Sequence, residues 1–207
     1  MARTTRSQSI ELRVVELMAA RLCHDLIGPV AAINNGVELL EEEDGGFMRE
    51  AIGLVGDSAR TASRRLQFFR FAYGFSGIGM TGTPPHQLAA DFFTGGNIEC
   101  HYPAELRDAE PAWQKLACAL LPLAAEALPR GGRLSLTVAE PGLEIAATGA
   151  NIGPSPEIRD ALTLVTPVAE LTSRIVGGYF AGLLADRLGW RIVVEDRHDG
   201  FRLAAVP

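Results

Sequence analysis

Cys23-His-Asp-Leu-Ile-Gly-Pro29 is the stretch that decides the fold, because it lies in the middle of a long run of helical periodicity. Apolar residues recur on both sides of it at alternating steps of three and four, which places their side chains on one face of a helix. This apolar seam consists of Leu12, Val15, Ala19, Leu22, Leu26, Val30, Ile33, Val37 and Leu40. His24 is two residues, or about 200°, from Leu22 at 3.6 residues per turn. It is therefore predicted to face away from the seam.

A second amphipathic segment follows after a short connection. Its apolar residues repeat at alternating steps of four and three, the heptad pattern of helices that pack side by side. They are Met48, Ile52, Val55, Ala59, Ala62, Leu66, Phe69 and Tyr73. The connection contains Asp44-Gly45-Gly46, so the two helices are predicted to fold back as an antiparallel hairpin. A lone hairpin leaves half of its apolar surface in water, and we therefore expect a homodimer whose helices form a four-helix bundle.

The composition bounds the rest of the chain. Its 207 residues, 47% of them hydrophobic, are enough for two domains. The sequence has no run of about 18 apolar residues and no signal-peptide core, which predicts a cytoplasmic protein that does not enter a membrane. A net charge of −6 argues against a nucleic-acid-binding protein. Three cysteines without metal-binding spacing are expected to be free thiols.

A glycine-rich segment that ends in two prolines divides the chain. Neither a helix nor a strand can run through it, so residues 76–85 are predicted to link a helical-hairpin domain, residues 1–75, to a second domain, residues 86–207. Helices and strands are both predicted in the second domain, which gives an α/β sandwich and the α+β fold class. The predicted helices are near 86–93, 111–129 and 171–188, and the predicted strands are near 97–102, 134–140, 143–147, 190–195 and 201–206.

Charge is distributed unevenly along the predicted hairpin. The half around His24 carries six arginines against three acids, whereas the turn half carries seven acids against one arginine. Most such charges are simply solvated, but the asymmetry favours an acidic partner at the His24 end.

In an antiparallel hairpin, residues that are the same number of positions from the turn lie side by side. Arg64, Arg65 and Phe68 are therefore predicted neighbours of His24 and candidate partner contacts. For Phe68 the alternative is packing within the protein or its dimer.

His24 is the candidate nucleophile. An exposed, neutral imidazole held in one tautomer can accept a phosphoryl group, and Asp25 is placed to orient the ring. Pro29 has no N–H for the carbonyl of Asp25, which bends the helix just past the histidine, and Gly28 leaves space there. These features suit the close approach of another domain. An ordinary surface histidine stays open as the alternative, and zinc binding is disfavoured because a second ligand pair is lacking.

The residues around His24 resemble a known family. His24-Asp-Leu-Ile-Gly-Pro29 is similar to the histidine box of histidine kinase dimerisation domains. The stretch Arg21–Gly36, with Arg65–Arg70 and Ala127–Gly132, resembles the ChpT-type histidine phosphotransferases of alphaproteobacteria. The resemblance implies a dimeric helical hairpin joined to a degenerate copy of the kinase ATP-binding domain. We take His24 and Asp25 as catalytic residues.

Arg21, Gly28 and Pro29 join Arg64, Arg65 and Phe68 as the predicted partner-binding residues. The receiver domain of a response regulator is the partner that the resemblance implies, with His24 passing phosphoryl groups between receiver aspartates. A CckA-type hybrid kinase is the implied donor, and CtrA- and CpdR-type regulators of the cell cycle are the implied acceptors.

The positions that bind ATP in the resembling kinases are altered in this chain. Two kinase asparagines correspond to Pro122 and Glu126, and Ala147 stands where an aspartate reads adenine. We therefore expect this chain to bind no cofactor or metal, with Mg²⁺ supplied by the receiver. Two alternatives remain: an ATP-dependent histidine kinase, and a non-catalytic dimeric scaffold or anti-sigma-like binder.

Overall fold

The computed structural model describes residues 11–41, 48–74, 82–138, 142–150 and 153–207. The predicted turn at Asp44–Gly46 and most of the predicted linker lie outside these residues. None of the helices in the described ranges is long and apolar enough to cross a membrane.

The first part of the chain is the predicted helical hairpin, formed by α1 (Leu12–Glu41) and α2 (Met48–Ala72). The helices approach each other closely at Gly36, where an added Cβ would lie 2.6 Å from a Val55 methyl carbon and 3.3 Å from the Ala51 carbonyl oxygen. Because Arg65 contacts Asp25 near the other end, the helices run antiparallel. The prediction of an antiparallel hairpin is confirmed.

Much of the predicted apolar seam is exposed in the single chain. The buried apolar side chains of α1 are Val14 and Met18, which lie off the seam and pack into the core shared with the second part. Leu12 remains 70% exposed and Ile52 58% exposed. The other seam residues with large exposed side chains are Val15, Val30, Val37, Leu40, Met48 and Leu66. The hairpin thus presents a long apolar surface to solvent.

The second part of the chain is a mixed sheet covered by helices. Its five described strands are ordered β1-β2-β3-β5-β4, with β1 parallel to β2 and the remaining pairs antiparallel. The strands are β1 (Ile98–His101), β2 (Gly132–Val138), β3 (Leu143–Gly149), β4 (Arg191–Arg197) and β5 (Gly200–Val206). The helices are α3 (Pro85–Phe93), α4 (Ala104–Arg107), α5 (Pro111–Glu126), α6 (Pro156–Leu162) and α7 (Val176–Arg187), with a 3₁₀ turn at Val168–Glu170. The α+β class and the α/β sandwich are confirmed.

The core lies between the inner face of the sheet and α5. Alternate residues of the central strands point inward, as the two-residue period of a strand requires. Among these, Leu136 pairs with Ile145, which in turn pairs with Leu203. Every residue of α5 from Leu116 to Ala124 is buried, including Pro122. At the outer edge, β4 turns charged side chains to solvent: Arg191, Glu195, Asp196 and Arg197.

The structure differs from the sequence-based elements in three places. The short helices α4 and α6 were not predicted. The last helix begins at Val176 rather than near residue 171, because the backbone of Leu171 is extended. The carbonyl oxygen of Leu171 accepts a hydrogen bond of 3.0 Å from Arg13 in α1 instead of a helical N–H.

Candidate active site

His24 projects into solvent from the middle of α1. Its side chain is 84% exposed, as its angle to the seam predicted. The ring atom Nδ1 lies 3.3 Å from Oδ1 of Asp25, whose side chain is 25% exposed. When Nδ1 donates its proton to Asp25, the lone pair is on Nε2 at the outer side of the ring. The pair therefore presents a nucleophilic nitrogen to solvent.

Asp25 is held from its other side by Arg21. The Nε atom of Arg21 donates to Oδ2 of Asp25 over 3.1 Å. The two terminal nitrogens bind residues of the second part: Nη1 donates to the carbonyl oxygen of Arg174 over 3.0 Å, and Nη2 forms an ion pair with Glu126 at the end of α5. With 13% of its side chain exposed, Arg21 links the histidine's acid to the sheet-bearing part of the chain.

Pro29 leaves the carbonyl of Asp25 without its helical donor, and α2 supplies a replacement. The Nη1 atom of Arg65 donates to this oxygen over 2.5 Å. A buried or half-buried carbonyl is costly to leave unpaired, so the arginine compensates for the proline. At Gly28, the residue before Pro29, an added Cβ would meet no atom within 4 Å. The surface just past His24 is therefore open.

A cleft of about 460 Å³ adjoins the histidine. Its walls come from both parts of the chain: Arg21, His24 and Asp25 on α1, and Glu126, Ser173 and Arg174 on the second part. Ser173 and Arg174 could not be predicted from the sequence, because they reach the site only through the packing of the second part against α1. Glu126 was predicted only as a substituted ATP-site position, and its contact with Arg21 is new.

The residues predicted to contact a partner differ in their exposure and in their bonds within the chain. Phe68 is fully buried and its ring stacks on Phe92 of α3, with centroids 4.3 Å apart. Its predicted contact with a partner is therefore wrong, and the packing alternative is right. The nitrogens of Arg21 are engaged within the chain, and its contact with a partner stays a prediction. Arg64 is half-buried and forms no ion pair or hydrogen bond with any described residue.

Two comparisons with known proteins cover most of the chain. Residues 85–200 match the family model described as the histidine phosphotransferase C-terminal domain. The protein phosphotransferase ChpT of Brucella abortus (strain 2308) is 32% identical over an alignment of 186 residues, which covers 86% of this chain and 88% of that protein. The chain belongs to the histidine phosphotransferase family.

A solved structure agrees with this assignment. A bacterial phosphotransferase determined at 1.7 Å superimposes with a TM-score of 0.78 and 28% identity, over 98% of this chain and 100% of that one. The match extends across the hairpin and the sheet, so this phosphotransferase shares the arrangement of both parts.

The three positions that the resemblance to kinases pointed to are buried or paired in the structure. Pro122 and Ala147 are buried in the core, and the Glu126 carboxylate is paired with Arg21. Among the described residues, no group of three or more His, Cys, Asp or Glu side chains is close enough to hold a metal ion.

Proposed function

We propose that the protein is a phosphorelay intermediate in which Nε2 of His24 receives a phosphoryl group from a receiver-domain aspartate and returns it to the aspartate of another receiver. The supporting observation is an exposed histidine oriented by Asp25 beside an open cleft, in a histidine phosphotransferase. In the first step the acyl phosphate P–O bond breaks and an N–P bond forms. The receiver's aspartate leaves as a carboxylate, and Asp25 stabilises the positive charge that develops on the ring.

The receiver supplies the remaining groups in this proposal. It brings Mg²⁺ and the carboxylates of its phosphorylation site, while the task of this chain is to position the nucleophile. By resemblance, the donor is the receiver of a CckA-type hybrid kinase, and the acceptors are CtrA- and CpdR-type regulators. The cytoplasmic location inferred from the sequence stays a prediction.

We propose that the exposed seam forms the interface of a homodimer, with residues 1–75 as the dimerisation domain, residues 76–85 as the linker and residues 86–207 as the second domain. Ile52→Glu places a charge on an exposed seam residue near the start of α2 and should give monomers by light scattering after size exclusion. Val165→Glu is the matched control, because Val165 is 69% exposed and belongs to the second part of the chain, outside the seam. A dimer that survives Ile52→Glu, or a wild-type monomer, contradicts this interface.

Label transfer tests the phosphotransfer proposal. The protein should take up labelled phosphate from a phosphorylated receiver and not from Mg²⁺-ATP, and His24→Ala should abolish uptake without changing the melting temperature. His198→Ala, which removes an exposed histidine in the β4–β5 turn, is the control and should transfer normally.

Each alternative predicts a different result. Uptake from ATP alone indicates a histidine kinase, and no uptake from either source indicates a scaffold or anti-sigma-like binder. Uptake by His24→Ala shows that another residue is the nucleophile.

A further inference from the structure

Arg21 connects the histidine's acid to Glu126 through one edge of its guanidinium group. The nitrogens Nε and Nη2 lie on the same edge of an arginine, the edge that binds a carboxylate with two parallel hydrogen bonds. Elsewhere in this chain the same edge is undivided: Nε and Nη2 of Arg133 both donate to one oxygen of Glu99, Oε2, at 3.0 and 2.9 Å. In Arg21 the same edge is divided: Nε binds Asp25, and Nη2 binds Glu126.

Because Arg21 binds two different carboxylates, one oxygen of Asp25 is left to accept a hydrogen bond from His24. With Nη2 occupied by Glu126, Arg21 reaches Asp25 through a single bond to Oδ2. The other carboxylate oxygen, Oδ1, is then free to accept the proton of Nδ1 on the histidine. Without Glu126, the whole edge of Arg21 is available to Asp25, and a two-bond pair would draw Oδ1 away from the ring.

We propose that Glu126 is a positioning residue for the transfer reaction, which keeps Arg21 from capturing both oxygens of Asp25 and thereby holds His24 in the tautomer with its lone pair on Nε2. The inference rests on the proposed function of His24. The carboxylate is suited to this role because it lies at the end of α5, a helix anchored in the core by its buried residues. The position that resembles a metal-binding asparagine of kinases thus serves the histidine instead.

Glu126→Gln tests the proposal, because the amide keeps the size of the side chain but loses the charge that competes for Arg21. We expect the transfer rate at saturating phosphorylated receiver to fall roughly five- to twentyfold, a fraction of the effect of losing a directly acting acid or base. The receiver concentration at half-maximal rate should not change. In ¹⁵N spectra of the protein alone, the Nδ1–H tautomer of His24 should lose population.

Two further variants separate positioning from folding. Glu99→Gln removes a carboxylate from the Arg133 pair on the sheet edge and should alter neither measurement. Adding Arg21→Met to Glu126→Gln removes the competitor itself, so the Nδ1–H tautomer and most of the rate should return.

Three outcomes overturn the role of Glu126: an unchanged tautomer and rate in Glu126→Gln, a raised half-saturating receiver concentration with an unchanged saturating rate, or no recovery in the double variant. A wild-type protein that takes no label refutes the proposed function instead. The tautomer measurement needs no partner, and it therefore tests Glu126 independently of transfer.

Discussion

The hydrogen bond from Arg65 to the carbonyl of Asp25 should stabilise the hairpin because Pro29 has removed the carbonyl's own helical partner. Arg65→Met tests this, since methionine keeps an apolar stem for packing but cannot donate a hydrogen bond. Pro29→Ala restores an N–H four residues after Asp25, and the helix can then satisfy the same carbonyl without help from α2.

The loss of stability expected for Arg65→Met follows from the geometry of its hydrogen bond. The donor is charged and the N–O distance is 2.5 Å, but the site is only partly buried, so water can replace the arginine in part. We expect Arg65→Met to cost about 1–2 kcal/mol of unfolding free energy. In a protein of this length each kcal/mol lowers the melting temperature by about 2–4 °C. In the Pro29→Ala background the cost should fall by about 1 kcal/mol, because the carbonyl keeps a partner.

A double-mutant cycle measures this coupling directly. Urea unfolding of the wild type, the two single variants and the double variant gives the four free energies, and the cycle cancels the effect of proline on the unfolded chain. The reasoning fails if Arg65→Met costs the same in both backgrounds. That result would mean that Arg65 acts through packing or charge and not through the carbonyl.

Three further predictions concern charge, core and thiols. Arg64→Glu should slow receiver association in stopped flow about threefold at low salt and less at high salt, because screening weakens steering of an acidic partner; a rate independent of salt contradicts the role of this charge. Phe68→Ala should lower stability by about 3–5 kcal/mol, because it empties a fully buried aromatic site; a loss below 1 kcal/mol in urea unfolding would show that the site tolerates the change. Burial raises the pKa of the Cys100 thiol to about 12 and also raises that of Cys118, so both stay protonated at pH 8. Maleimide should therefore modify a single thiol of the native protein, the exposed Cys23, and a second fast-reacting thiol would disprove the burial argument.

The sequence predicted the hairpin and the exposure of His24 because both depend on local periodicity. The alternating steps of three and four fix which side chains share a face, and an angle of about 200° from Leu22 turns the histidine away from that face. The short helices α4 and α6 have 4 and 7 residues. Such segments are too short to show a helical period, which explains why they were missed.

The misplaced prediction for Phe68 has a geometric cause. Distance from the turn gives the level of a residue along a hairpin, but it does not give the direction of its side chain around the helix. Phe68 is near the level of His24, yet it points toward α3 and the core.

The contact between Arg21 and Glu126 could not be predicted from the sequence for a different reason. It depends on how α5 packs against α1, and no local pattern encodes that packing.

The outer edge of β4 has a consequence for behaviour at high concentration. An edge strand of 7 residues offers unpaired N–H and C=O groups on which a strand of another molecule can add. Here the strand turns two arginines, a glutamate and an aspartate to solvent, and an added strand would have to strip water from them. The opposite edge, β1, is only 4 residues long. The sheet is thus protected on both sides against fibril-like growth, and its exposed edges should stay free of aggregation even when the apolar helices associate.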